Sequence, residues 1–212
     1  MLRRVLAEFL GTGLLVAIVV GSGIAATQRT SDGAVQLLVN STTTALGLAV
    51  LILVFGPVSG AHFNPVVTLV LRRDRETAGL ILAQIAGAIG GAMLADAMFG
   101  VDVVQWSSTG RSEGRLVGAE VVATAGLVLL IAGLVRTGRT EHAPWSVGAY
   151  IGAAYWFTSS TSFANPAVTV GRMFTDTYAG IAPHSAPAFI AAQLAGGALG
   201  AGLGAVLFPR SE

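Results

Sequence analysis

The chain has 212 residues, of which 53% are hydrophobic and only 11% charged. Soluble domains carry about a quarter charged residues, so a soluble globular domain is excluded, and the spread of long apolar blocks excludes the short alternating segments of a membrane β-barrel. There is no cysteine, hence no disulfide and no thiolate metal site, and a formal net charge of +1 without a long basic run offers nothing to nucleic acid. A helical protein that crosses the lipid bilayer several times remains.

In chain order, the first segment, MLRRVLAEFLGTGLLVAIVVGSGIAATQ, begins basic and then turns apolar as a signal peptide would. Its apolar stretch is longer than the 7–15 residues of a signal and contains Glu8, so it is read as a retained first span. Spans of about 20 apolar residues are expected over 5–26, 34–55, 77–98, 115–135, 144–160 and 186–208. All twelve basic residues are arginine. With the N-terminus inside, Arg3, Arg4, Arg72, Arg73, Arg75, Arg136, Arg139 and Arg210 fall on the cytoplasmic side, against Arg29, Arg111, Arg115 and Arg172 outside. The positive-inside rule therefore places both termini in the cytoplasm, and the chain in the cell (inner) membrane.

Two stretches are too long for one crossing. Residues 33–71 and 143–171 contain no Asp, Glu, Lys or Arg. Each holds one span, a turn of Gly, Ser or Pro, an Asn-Pro pair, and a short apolar segment ending at an arginine. A helix over 64–72 is about 13 Å long at 1.5 Å per residue, half a membrane. Residues 64–72 and 165–173 are therefore expected to be re-entrant half-helices, tolerable at that depth only where they are buried in protein or line a wet cavity.

The halves repeat each other. AEFLGTGLLV (7–16) matches AEVVATAGLVLL (119–130), and LAQIAGAIGGA (82–92) matches AAQLAGGALGAG (191–202), which pairs Glu8 with Glu120, Asn64 with Asn165, and Gln84 with Gln193. Three spans per half make an inverted repeat, about 1–100 and 113–212, within a single domain, so the half-helices enter from opposite faces and meet at the midplane. The fold class is all-α: six transmembrane helices and two half-helices. Pro65 and Pro166 suit the first helical turn and the asparagines suit the N-cap. Two positive helix ends at the membrane centre would orient a dipole and repel cations, protons included.

AEFLGT, SGAHFNPVVT, SFANPAVTVGRMF and the paired glycine-rich AQ helices together resemble the aquaporin (major intrinsic protein) family along the whole chain. That resemblance implies a homotetramer with one pore per subunit, passing water or small neutral solutes across the bilayer without energy input. Two departures stand out. The first box, Asn64-Pro65-Val66, has valine where relatives have alanine, an effect expected to be confined to packing between the half-helices; the second, Asn165-Pro166-Ala167, is regular. The residue after the second box is Val168, where most relatives keep the arginine of the outer filter.

By the family's spacing the filter would be Thr44, Ala153, Ser162 and Val168: small or medium residues without charge or ring, forming a wide, weakly polar constriction. Arg172 lies one turn beyond Val168. The simpler reading is an interfacial arginine facing the half-helix C-terminus; the other is a cationic outer vestibule that attracts polar or anionic solutes. Glu8, Glu120 and His62 are expected to brace the loops that carry the boxes, Asp96 to snorkel at a span end, and Asn40, Thr44 and Gly47 to share a pore-lining face. The histidines, His62, His142 and His184, are scattered; no metal site, cofactor site or catalytic set is visible, and an enzyme is not expected.

The valine filter resembles that of the bacterial arsenic-associated subgroup, which implies metalloid hydroxides such as arsenous acid, and methylarsenicals, as permeants. The alternatives are a water or glycerol facilitator unrelated to arsenic and, from another class, a proton-coupled transporter using Glu8 and Glu120. A formate-channel architecture also breaks its helices but does not need two Asn-Pro pairs.

Overall fold

The computed structural model describes residues 1–209; Arg210, assigned above to the cytoplasmic side, lies outside them. Among the described residues eight α-helices follow one another: α1 (Leu2–Thr27), α2 (Gly33–Ser59), α3 (Pro65–Leu71), α4 (Thr77–Phe99), α5 (Gly114–Arg136), α6 (Ala143–Phe157), α7 (Pro166–Gly171) and α8 (Ala186–Leu207). Five of them, α1, α2, α4, α5 and α8, are long and apolar enough to cross a membrane. The remaining span, α6, has 15 residues, about 22 Å at 1.5 Å per residue, and is preceded by a single 3₁₀ turn (Thr140–His142). It was expected to reach residue 160 but stops at Phe157, where Thr158 turns extended and its hydroxyl donates to the carbonyl of Ala154.

The order of elements repeats: two spans, a half-helix, a span. Within each half the first and last spans pack closely, α1 on α4 and α5 on α8, and the half-helices pack across, α7 on α4 and α3 on α8. In lipid no hydrophobic force draws helices together, so close van der Waals approach must do it. Glycine permits that approach at equivalent places: a Cβ on Gly91 would stand 2.0 Å from the carbonyl oxygen of Gly13, and one on Gly200 2.3 Å from that of Ala125. Val16, Val20, Ala88, Ala123, Ala164 and Ala167 lie in the resulting core.

Helix α2 runs past its expected end at 55, with Pro57 in its last turn, and is stopped by Gly60, whose φ of +92° suits glycine and whose N–H donates to the carbonyl of Gly56. The end of α3 is fastened at the terminus-side mouth by ion pairs, Arg72 to Asp74 and Glu76, and Arg4 to Glu76. The hydrogen bond from Arg72 holds the Asp74 carboxyl below its ordinary range, and that from Arg4 does the same for Glu76. Exposed pairs of this kind contribute little individually. They set where α3 ends.

Candidate functional site

Each half-helix begins at its asparagine. The Asn64 side-chain oxygen accepts from the N–H of Val66 at 2.9 Å, and that of Asn165 from Ala167 at 2.9 Å and Val168 at 3.3 Å. The amide nitrogens reach across to the opposite loop: Asn64 Nδ2 donates to the carbonyl of Ala164 at 2.8 Å, and Asn165 Nδ2 to that of Phe63 at 2.7 Å. The two caps thus lock each other, which joins the half-helices at their N-termini.

The loops leading into these caps are strained in the same places. Ala61 and Phe63 in one, Thr161, Ser162 and Ala164 in the other, have φ between +47° and +61°, a region that costs a non-glycine residue about 1–3 kcal/mol. Two buried carboxylates hold them there. Glu8 accepts from Ser59 Oγ (2.6 Å), His62 N (3.0 Å), Phe63 N (2.7 Å) and Gln84 Nε2 (2.7 Å). Glu120 accepts from Phe163 N (2.9 Å), Ala164 N (2.8 Å) and Gln193 Nε2 (2.6 Å). The same glutamines donate to Thr68 and Thr169, whose hydroxyls cap the carbonyls of Asn64 and Asn165. Glutamines at equivalent positions were evident in the sequence; their partnership with the threonines was not, because nothing local in the chain links them. His62 sits in this loop too, its Nδ1 3.1 Å from Thr68 Oγ1.

A cavity of about 660 Å³ runs along the protein past both asparagines. One end lies among Thr140, Glu141 and Pro144, the other at Arg172. Its wall is mainly apolar, with Val67 and Leu71 from α3, and Val147 and Ile151 from α6. Between those ends polar groups are few: Thr44, His62, Tyr155, Ser162 and the two asparagines. Glu8 and Glu120 do not line it and are fully buried. No group of three His, Cys, Asp or Glu among the described residues could hold a metal ion.

Several expectations are corrected here. Ala153 is exposed on the outside of α6 and does not line the cavity; Tyr155 does, with its hydroxyl 3.3 Å from Thr44 Oγ1. Counting back from Asn165 misjudged the loop, whereas the four-residue rhythm of Val147, Ile151 and Tyr155 would have found the inward face. The far constriction also has ring and charge: Phe163 lines it beside Ser162 and Val168, and so does Arg172. Arg172 does not reach the outer surface of the protein. It is 2% exposed, its Nε donates to the carbonyl of Ala179, and its guanidinium carbon stacks 3.4 Å from the Phe163 ring centre.

Val66 packs against α8, where its Cγ1 fills the space a Cβ on Gly197 would need. The equivalent positions in the other half are Ala167 and Ala88, so one large and one absent side chain replace two small ones. Asp96 does not snorkel: it is buried and takes the hydroxyl of Thr175 at 2.9 Å. Of the face proposed for α2, only Thr44 reaches the cavity; Asn40 donates to Val19 O and Ser22 Oγ, and Gly47 lies against Ile18.

This architecture has relatives. Residues 1–162 match the family model for the major intrinsic protein family. The chain is 49% identical over 199 residues to aquaglyceroporin AqpS of Rhizobium meliloti (strain 1021), covering 92% of this chain and 85% of that one. It is 31% identical over 183 residues to aquaporin NIP1-1 of Zea mays, covering 80% of this chain and 64% of that one. Among solved structures, the aquaglyceroporin from Plasmodium falciparum superimposes with a TM-score of 0.74 over 98% of this chain and 95% of the other, at 19% identity, a likeness of fold. Helices long enough to cross a membrane several times, paired half-helices and these matches agree: the chain belongs to the major intrinsic protein family, whose members are channels rather than enzymes.

Proposed function

We propose that the protein is a passive channel for small uncharged solutes, with water, glycerol and metalloid hydroxides such as arsenous acid, together with methylarsenicals, as permeants. The observation that carries this reading is one cavity passing both asparagines, apolar on most of its wall and polar on a narrow track. An apolar wall gives water's hydrogen bonds no replacement, so a solute must recover them on that track. Each asparagine amide has two hydrogens and spends one on the opposite loop, which leaves the other for a passing oxygen. A cation meets only donors there and has nothing to replace its hydration.

The chain forms a single channel domain of two inverted repeats, about 1–100 and 113–212, placed in the inner membrane with both termini cytoplasmic, and assembles as a homotetramer. The pore boxes are Asn64, Pro65, Val66, Asn165, Pro166 and Ala167, braced by Glu8, Glu120 and His62. The selectivity filter is Thr44, Tyr155, Ser162 and Val168, with Arg172 in the outer vestibule beside Phe163. Relatedness to an aquaglyceroporin at 49% identity supports solutes larger than water; valine at 168 supports a filter wide enough for metalloid hydroxides. A proton-coupled transporter using Glu8 and Glu120 would need those carboxylates to face the solute path. Glu8 and Glu120 instead have their oxygens filled by loop donors, away from the cavity.

The test is light scattering on proteoliposomes challenged with water, glycerol and arsenous acid, for wild type and Val168→Arg. Wild type should pass all three. The variant places a second guanidinium one helical turn from Arg172 and should lose most glycerol and arsenous acid flux while keeping water flux. Full large-solute flux in the variant would overturn the filter assignment, and wild-type flux no greater than that of empty liposomes would overturn the channel.

A further inference from the structure

Two arginines at the far mouth pair with no carboxylate among the described residues. Arg172 comes from the end of α7 and Arg111 from the loop between α4 and α5. Their guanidinium carbons stand 3.4 and 5.1 Å from the centre of the same Phe163 ring, and so no more than 8.5 Å from each other. Consecutive carbonyls hold them: Arg172 Nε donates to Ala179 O, and Arg111 Nε to Gly180 O at 3.0 Å. Among the described residues neither forms an ion pair. Glu120 below the loop is engaged by Phe163 N, Ala164 N and Gln193.

A guanidinium has five N–H donors, and each of these spends one on a carbonyl, so the forked ends remain. Arg172 is almost wholly buried and lines the cavity. A second, independent feature belongs to the same wall: Ser162 is 3% exposed and lines the cavity, and its buried Oγ has no hydrogen-bond partner among the described residues. Two like charges brought this close, beside an unsatisfied hydroxyl, are unfavourable as they stand. A ligand with negative charge and more than one oxygen relieves both conditions, since the planar fork of arginine matches a pair of oxygens.

We propose that Arg172, Arg111 and Ser162 form a binding site for a small oxyanion or carboxylate at the far mouth of the pore, and that its occupancy blocks the passage of neutral solutes. Arg172 and Ser162 contact the anion. Arg111 adds its charge from beyond the ring. The block rests on the channel reading above; the binding does not.

Inorganic phosphate is the probe. Titration calorimetry on the full-length protein in detergent should show binding that weakens as ionic strength rises, about tenfold or more weaker in Arg172→Met and partly restored in Arg172→Lys, which keeps the charge but not the fork. In proteoliposomes, phosphate on the face opposite the termini should slow glycerol flux, each variant being compared with its own flux without phosphate; chloride at equal ionic strength should not. No binding to wild type, or equal binding to Arg172→Met, overturns the proposal. Binding without any block overturns the placement in the mouth. Should wild type pass no glycerol at all, the channel reading fails, and calorimetry still decides the site.

Discussion

Glu8→Gln separates the brace from the proton carrier. The substitution preserves shape, removes the charge and converts one oxygen into an NH₂ group. Four donors now converge on the two oxygens: Ser59 Oγ and His62 N on one, Phe63 N and Gln84 Nε2 on the other. Whichever way the new amide turns, a donor faces two donors. The milder orientation sets the NH₂ against Ser59, whose hydroxyl can rotate, and leaves His62 N orphaned at about 1–3 kcal/mol. The other three bonds change from charge-assisted to neutral, roughly 1 kcal/mol each, so the loss is about 4–6 kcal/mol. At about 2–4 °C per kcal/mol for a chain of this size, the melting midpoint in detergent should fall by some 10–20 °C. The loop held at positive φ through Ala61 and Phe63 should relax with it, and glycerol flux should drop. If midpoint and flux both stay at wild-type values, the bonds do not hold the loop. If stability is kept but flux loses a dependence on the proton gradient, Glu8 is a carrier and the channel account is wrong.

Other predictions follow from the same geometry. Gly197→Ala places a Cβ 2.3 Å from Val66 Cγ1 and should cost about 1–3 kcal/mol by overpacking, whereas Gly197→Ala with Val66→Ala reproduces the two alanines of the other half and should recover most of it in thermal denaturation. Asn165→Asp keeps the cap oxygen but sets a carboxylate against Phe63 O, where the amide donates at 2.7 Å. It should weaken the cross-brace and admit protons, read as pyranine-reported leak in liposomes; an unchanged leak would refute the account of cation exclusion. Asp74 and Glu76 are held below their ordinary carboxyl values by Arg72 and Arg4, so their clasp is intact above the ordinary carboxylate range and is lost as pH falls through the lowered values. Hydrogen exchange near the end of α3 should accelerate only there, and faster exchange beginning near neutrality would count against it.

The half-helices were legible because their signals are local. An Asn-Pro pair caps a helix, and a charge-free run ending in arginine shows where it stops. The repeated Glu and Gln positions were legible as pairs, and the structure supplies the loop amides that use them. Tyr155 escaped for a reason that lies in the chain's geometry. At about 100° per residue, Ala153 sits some 200° from both Ile151 and Tyr155, on the opposite side of α6. A count back from Asn165 crosses the irregular segment after Phe157 and loses the helical phase, whereas the spacing of Val147, Ile151 and Tyr155 within α6 keeps it. Val66 was visible as an oddity, but its compensation by Gly197, 131 positions later, becomes visible only when α3 lies on α8.

Arg172 was misjudged through a similarity that is off by one. Both short helices end at an arginine, Arg72 as the C-cap of α3 and Arg172 as that of α7, and both looked like residues reaching for the interface. Counted from the capping asparagine, however, Arg72 stands eight residues on and Arg172 seven. One residue is about 100° of helical turn. Arg72, one residue further on and already in extended backbone, leaves that row and pairs with Asp74 and Glu76, while Arg172 falls on the row of Val168, as Leu71 falls on the row of Val67, and all four of these line the cavity. The mouth near the termini consequently presents a leucine where the far mouth presents a guanidinium. A buried charge at that position needs support that a leucine does not, and Phe163 and the Ala179 carbonyl provide it; the equivalent of Phe163 in the first half is His62, which leans on Thr68 instead. The inverted repeat builds one symmetric frame. The solute meets different chemistry at its two ends because a single residue of phase turns one arginine inward.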